Sequence, residues 1–330
     1  MNFRRFISLC AALLLHIPSA RSEVRTWTDD QGRAVTAEMV RQDGENIVLL
    51  VNGSEIPFPI SKLSAEDQAW LQQKQETSAK AAFSLPGGVA LKPGGRVEFF
   101  LDTTEDDRKE AKNPKMEKVR VVLAVPADFT PDRPWPIVVA STTVGGRNAR
   151  AAGPFVEPGV AAGFIVLGAE SAEEGAKIES DTWAYRGHAA TMALGALHDR
   201  WPGSASWPRY FGGHSGGAKN SCHMACHLVG TLGVKVAGFF FSGCNQAMMD
   251  PAREEYGTPK TPFKDAAFFI SNGVNDKIAP PTEGEKIADE LKSGGYGPIR
   301  VETFDGAHEI HRPHIEAALA WFKEIASNQP

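Results

Sequence analysis

The sequence predicts an α/β fold, a mostly parallel sheet with helices on both faces, preceded by a small β-barrel unit. Three observations carry that expectation. From about Arg96 to Ala326, short apolar runs of strand length alternate with amphipathic stretches of helix length. That alternation is the pattern of a sheet built from strand–helix–strand crossovers. Upstream, residues 24–60 hold four short runs separated by turn signals, of which Asn52-Gly53 is the strongest hairpin pair. The third observation is Gly213-His214-Ser215-Gly216-Gly217, a Gly-x-Ser-x-Gly match. A β-like approach, Arg209 to Phe211, leads into it, and a helix-like stretch, Ala218 to Leu228, leads out, the context of a nucleophile elbow.

Composition bounds the function. The chain has 330 residues, 42% hydrophobic and 23% charged, with a formal net charge of −5. That is globular composition, long enough for one large domain and a small one. No basic stripe or run favours nucleic acid, and a mildly acidic surface disfavours anionic membranes. Residues 1–22 read as a secretory signal: Arg4 and Arg5, an apolar stretch Ile7 to Ile17, a break at Pro18, and small residues at Ala20 and Ser22. The expectation is a secreted or periplasmic protein, with no membrane attachment after cleavage; an uncleaved anchor is the alternative. Cys222, Cys226 and Cys244 then remain, an odd count that does not suit a disulfide scaffold.

In order, residues 23–75 form the first unit. Val24 to Thr28, Ala34 to Val40, Asn46 to Val51 and Ile56 to Ile60 are its strands, and Ser64 caps a short helix continuing to Gln73. Residues 76–88 read as a linker ending in Pro86-Gly87-Gly88. The second domain spans 89–326. Arg96 to Asp102 and Lys118 to Val125 open it as an antiparallel pair. Pro136 to Ala140, Phe164 to Leu167, Val234 to Phe241, Ala266 to Ser271 and Ile299 to Phe304 are strands around the one carrying the elbow. Ala189 to Arg200, Pro281 to Lys292 and Pro313 to Ala326 read as helices. Glu170 to His188, with Asp181, Trp183, Tyr185 and Arg186, follows a strand on the same edge as the elbow. It reads equally as pocket lining or as a solvated loop.

With 32 glycines in the chain, the Gly-x-Ser-x-Gly match alone does not separate an elbow from a Gly-rich turn. The order of the other parts decides. An acyl-transfer serine needs a base, an acid that orients the base, and donors for the oxyanion. In an open parallel sheet such groups meet at the carboxyl ends of the strands. Asp276 follows the Ala266 to Ser271 strand, and His308 follows the Ile299 to Phe304 strand. Asp305 is a second carboxylate near His308. After Val234 to Phe241 come Ser242-Gly243-Cys244-Asn245, with no acid, which favours Asp276.

Gly-His-Ser-Gly-Gly, Gly-Val-Asn-Asp and Gly-Ala-His-Glu match, in order, the motifs of the α/β-hydrolase family, which residues 89–326 resemble. The approach from Pro126 to Pro136 is similar to that of secreted esterases and polyester depolymerases. The resemblance implies Ser215 as nucleophile, His308 as general base then acid, and Asp276 as its orienter. It implies an oxyanion hole from Gly216 N–H and a second donor after the Pro136 to Ala140 strand. Relatives carry His-Gly there. This chain has Thr142-Thr143, leaving Val144 and Thr143 as the two candidate donors.

Arg25-Thr26-Trp27-Thr28, Val35 to Val40, and Ile60-Ser61-Lys62-Leu63-Ser64 with Asp67 and Leu71 carry a second resemblance. Residues 23–75 are similar to the Sla-type homology-one domain of endocytic adaptors, a small Src-homology-3-like barrel. The resemblance implies the fold and not the ligand; a protein or peptide partner for this unit is a separate expectation.

The run from Cys222 to His227 invites a metal or haem reading. Its cysteines are separated by three residues where haem attachment uses two, and Ala218, Cys222, Cys226 and Val229 share one helical face. They read as small buried hydrophobes. His223 and His227 lack a third ligand at helical spacing, and Pro313 starts a helix among His308, His311 and His314, against a shared metal. No cofactor and no metal are expected. The expectation is a secreted serine hydrolase acting on a small or polymeric carboxylic ester. A serine peptidase of the same fold and a non-catalytic binding protein on a hydrolase scaffold are the alternatives.

Overall fold

The computed structural model describes residues 24–143, 145–171 and 183–328. The expected signal at 1–22, the candidate donor Val144, and Asp181 lie outside them. The chain divides into two compact units, Met1–Lys80 and Ala81–Pro330.

In the first unit, β1 (Val24–Thr28), β2 (Ala34–Asp43), β3 (Asn46–Val51) and β4 (Ser54–Pro59) pair antiparallel in that order. Asn52 and Gly53 both take positive φ, 51° and 80°, as their turn requires. Just past β4, Leu63 bridges back to Asp29 beyond β1, giving the small Src-homology-3-like unit. Trp27, Ala37, Ile47, Leu49, Leu63 and Leu71 fill its core. Asp67 pairs with Arg25 and accepts from Thr28 N at 2.7 Å, tying the helix to β1. Arg25 also lies over the Trp70 ring, 4.1 Å from its centroid. α1 runs Ala65–Ala82, well past the expected end near Gln73 and into the segment read as a linker. Residues 76–82 contain no Gly or Pro and are mostly tolerant of helix, so nothing stops it before Pro86.

The second unit is an eight-stranded sheet of order β12-β11-β10-β9-β7-β8-β6-β5. β5 (Arg96–Asp102) and β6 (Lys118–Ala124) are antiparallel to their neighbours. β7 (Ile137–Ser141), β8 (Ile165–Ser171), β9 (Arg209–His214), β10 (Val236–Ser242), β11 (Ala267–Gly273) and β12 (Ile299–Phe304) run parallel. Alternate residues of each strand serve opposite faces. Ile137, Val139, Phe211, Phe239 and Phe241 join the core beneath α5 (Trp183–Arg200), α6 (Gly216–Leu232), α7 (Met249–Tyr256) and α8 (Pro281–Ser293). Val138, Ala140, Tyr210, Phe240 and Phe269 join the opposite core with α4 (Gly153–Ala161) and α9 (Arg312–Ser327). Both faces are covered, as expected.

Three helical regions go beyond the sequence reading: α2 (Glu105–Glu110), the pair α3 (Asn148–Ala151) and α4, and α7. α4 contains Pro158 and begins Gly153-Pro154, so it reads locally as a loop; packing of Phe155 into the core holds it helical. α5 begins at Trp183, six residues before the expected Ala189. Tyr185, Arg186 and His188 are therefore buried helix residues, not parts of a solvated loop.

The interface of α5, α6 and α7 holds His223 and His227, and burial lowers the proton affinity of both. His223 stacks on Trp183 at 4.3 Å. Burial, helped by the charge of His188, brings His227 down to about 4. An imidazole with a folded value below its unfolded value near 6.5 binds fewer protons when folded. Stability is therefore full above pH 6.5 and falls as pH drops toward 4. The melting temperature is expected to fall over that window, and less steeply in His227→Gln. Parallel melting curves for the two proteins from pH 8 to 4 would show no such role for His227.

Candidate active site

The elbow sits where β9 ends and α6 begins. Ser215 has φ 56° and ψ −121°, a left-handed backbone for a residue with a side chain. Such a conformation costs about 1–3 kcal/mol and persists only where the surroundings enforce it. They do so by hydrogen bonds: Ser215 N donates to Ser242 O on β10 at 2.8 Å, and Ser215 O accepts from Ala218 N at 3.0 Å. They do so also by close approach. A Cβ at Gly213 would lie 2.7 Å from the Gly217 carbonyl carbon and against Ser141 O. One at Gly217 would lie 2.9 Å from Thr142 Cα and also against Ser141 O. Only glycine lets α6 lie this close to the end of β7. Gly217→Ala forces a methyl onto backbone that has no free rotor to yield. It is expected to destabilise the protein by about 1–3 kcal/mol, read as a lower urea midpoint; an unchanged midpoint would show that the contact yields freely.

The candidate acid and the candidate base stand on adjacent loops zipped by their backbones. Val274 N donates to Phe304 O and Asn275 N to Gly306 O, both at 2.9 Å. His308 Nδ1 and Asp276 Oδ2 are 2.7 Å apart, with the Asp276 side chain fully buried and that of His308 21% exposed. Asp276 Oδ1 accepts from Ile278 N and Ala279 N, each at 2.8 Å. Burial pushes this carboxyl up, but the Ala279 N–H, His308 and the Ile278 N–H together hold it below its ordinary value. An ionised carboxylate only accepts. His308 Nδ1 therefore carries a proton, and in the neutral imidazole Nε2 is the acceptor. Asp305 is exposed and accepts from Asn275 Nδ2 at 3.2 Å, away from the imidazole.

His214, the residue before Ser215, carries the contact between elbow and base. Its ring lies 4.5 Å from that of His308, and its Nδ1 is 3.1 Å from Ser242 Oγ. Burial, and then the neighbouring His308, lower its affinity for a proton. Among the described residues no hydrogen bond runs from Ser215 Oγ to His308. Such contacts in substrate-free sites commonly tighten only on binding.

On the oxyanion side, Gly216 follows Ser215 at the first turn of α6, and Thr143 comes from the loop after β7. A Cβ at Gly216 would lie 2.8 Å from Thr143 Cβ and would collide with its hydroxyl, so the two candidate donors are neighbours. Sequence reasoning missed what holds this loop. Arg186, only 2% exposed, donates to Thr143 O and to Asn148 Oδ1, each at 2.9 Å. The only signal was an arginine inside an apolar helical stretch.

The other clusters resolve as structure. Cys222, Cys226 and Cys244 are free and buried, and burial pushes the Cys226 thiol up to about 11. His311 stacks on Phe304 and His314 bonds Ser271 Oγ at 2.8 Å, so neither joins His308. Among the described residues, no group of three or more His, Cys, Asp or Glu side chains is placed to hold a metal.

A parallel sheet of this order, with a strained serine after one strand and an aspartate–histidine pair after two later ones, defines the second unit as an α/β-hydrolase fold. Several solved structures resemble the chain at low identity. A carboxyl esterase from Bacillus coagulans is 13% identical over 70% of this chain and 99% of its own, with a TM-score of 0.50. A fungal esterase from Rhizomucor miehei is 13% identical over 78% and 90%, at 0.49. A lidless α/β serine hydrolase from Xanthomonas campestris is 13% identical over 72% and 97%, at 0.47. The first of these likenesses, at 13% identity, is one of fold alone. Residues 17–79 match the model of SLA1 homology domain 1, SHD1. Among curated proteins none matches the chain.

Proposed function

We propose that this protein is a secreted serine hydrolase that cleaves carboxylic esters. The observation that carries the reading is Ser215 at a strained elbow whose preceding residue, His214, lies 4.5 Å, ring to ring, from an imidazole bonded through Nδ1 to Asp276. Ser215 Oγ attacks the acyl carbon while His308 Nε2 takes its proton. The carbonyl electrons move to oxygen, which Gly216 N–H and the loop after β7 receive. Collapse of the adduct expels the alcohol, which leaves with the proton from His308, and an acyl-enzyme remains. Water repeats the sequence, with His308 as base, and releases the acid. The apolar leader at 1–22 supports export. The SHD1 match supports the small first module; a protein or peptide partner for it is part of the proposal.

The test is hydrolysis of short p-nitrophenyl esters, with peptide mapping after fluorophosphonate labelling. Turnover together with a label on Ser215 is expected. An unlabelled serine would leave a non-catalytic scaffold, and labelling with peptide but no ester turnover would make the enzyme a peptidase.

A further inference from the structure

We infer that Arg186 is a positioning residue that shapes the oxyanion hole by gathering the carbonyls of the loop after β7. The inference rests on the ester-hydrolase reading above. The guanidinium comes from the first turn of α5 and is buried beneath the loop. Its Nη1 donates to Asn148 Oδ1 at 2.9 Å and to Thr142 O at 3.3 Å. Its Nη2 donates to Thr143 O at 2.9 Å and to Gly146 O at 3.1 Å. One planar cation thus collects three backbone carbonyls and one side-chain amide. Asn148 completes the grip: its Oδ1 also accepts from Thr142 N at 3.0 Å, while its Nδ2 donates to Ala169 O at 2.9 Å. From the elbow helix, Asn220 Nδ2 reaches Thr142 O at 3.2 Å.

The consequence follows from the planar trans peptide, in which C=O and N–H point in opposite directions. Turning Thr142 C=O toward Arg186 turns Thr143 N–H away from it. That leaves Thr143 N–H, one of the two candidate donors, on the side of the loop opposite the guanidinium. Thr143 is also the residue whose side chain abuts Gly216, the opposite donor. This accounts for a loop that holds Thr142-Thr143 where a His-Gly pair is expected: its peptide planes are set from below, by Arg186. Lysine cannot replace it, because an ammonium is a point donor and does not span four acceptors in one plane.

Donors aimed at a charge that develops only in the transition state act on kcat more than on KM. In Arg186→Lys and Arg186→Met, kcat on a short ester is expected to fall by about 30-fold or more, with KM within about threefold of wild type. Hydrogen exchange in peptides covering Ser141 to Arg147 is expected to quicken, with little change elsewhere. The lysine variant keeps charge and bulk, so it reads the role even if the methionine variant does not fold. A lysine variant with kcat within threefold of wild type, or with unchanged loop exchange, would overturn the inference. Ser215→Ala assayed alongside separates the two readings. A wild type that does not cleave esters sinks the ester reading, and loop exchange then decides the role of Arg186 by itself.

Discussion

Ser215→Ala is expected to lower kcat on short esters by on the order of 10⁶-fold while leaving the fold intact. The size follows from the division of labour in a triad. Without the hydroxyl no acyl-enzyme forms, and only the oxyanion donors and binding are left to assist water. The replacement is otherwise mild. Alanine is as strained as serine at φ 56°, and among the described residues no hydrogen bond of the hydroxyl to His308 is lost. Ser215→Gly sharpens the test, because glycine takes positive φ without the steric cost. It is expected to be equally inactive yet more stable than wild type, by about 1 kcal/mol. Inactivity with a raised melting temperature marks a residue whose conformation is held for chemistry. Retained turnover in either variant would remove Ser215 from the reaction.

The parts legible in the sequence were those fixed by short-range rules. The strands leading to Ser215, Asp276 and His308 are short β-prone runs closed by Gly-containing turns; β11 and β12 end within two residues of their expected places, and β9 runs three residues past Phe211. The same holds for Asn52-Gly53, where two adjacent residues determine the turn. What escaped depends on packing between distant segments. α4 forms despite Pro158 because the opposite core needs Phe155, which no local pattern announces. Arg186 looked like one charge among several in a loop, because its role exists only once α5 lies beneath the loop after β7. The choice between Asp276 and Asp305 was open for a similar reason. Both lie on loops at the same sheet edge; the Ile278 and Ala279 N–H groups hold Asp276 so that its other oxygen meets His308, whereas Asp305 accepts from Asn275. Sequence order thus singled out the residues proposed to react. The supports that aim them come from three-dimensional neighbours.

Asp276→Asn carries the second large effect and tests that selection directly. The native Oδ1 accepts two backbone N–H groups, so the amide oxygen of asparagine is expected to stay there. Its NH₂ then faces His308 Nδ1 in place of the carboxylate Oδ2. Two donors cannot share that contact, so the imidazole is forced into the tautomer with its proton on Nε2. That nitrogen can no longer accept the proton of Ser215. A loss of about 10⁴-fold in kcat at neutral pH is expected, with KM little changed. Stability carries an independent signature. A carboxylate held below its ordinary value contributes stability above about pH 4, and that contribution is lost as pH falls through the lower folded value. The wild type is therefore expected to melt above Asp276→Asn at neutral pH, and the gap to close in acid. Asp305→Asn, changing an exposed group bonded to Asn275, is expected to leave kcat within about twofold, as surface changes away from the reacting groups do. The reverse pattern, a crippled Asp305 variant beside an active Asp276 variant, would move the acid of the triad to the loop of His308 itself.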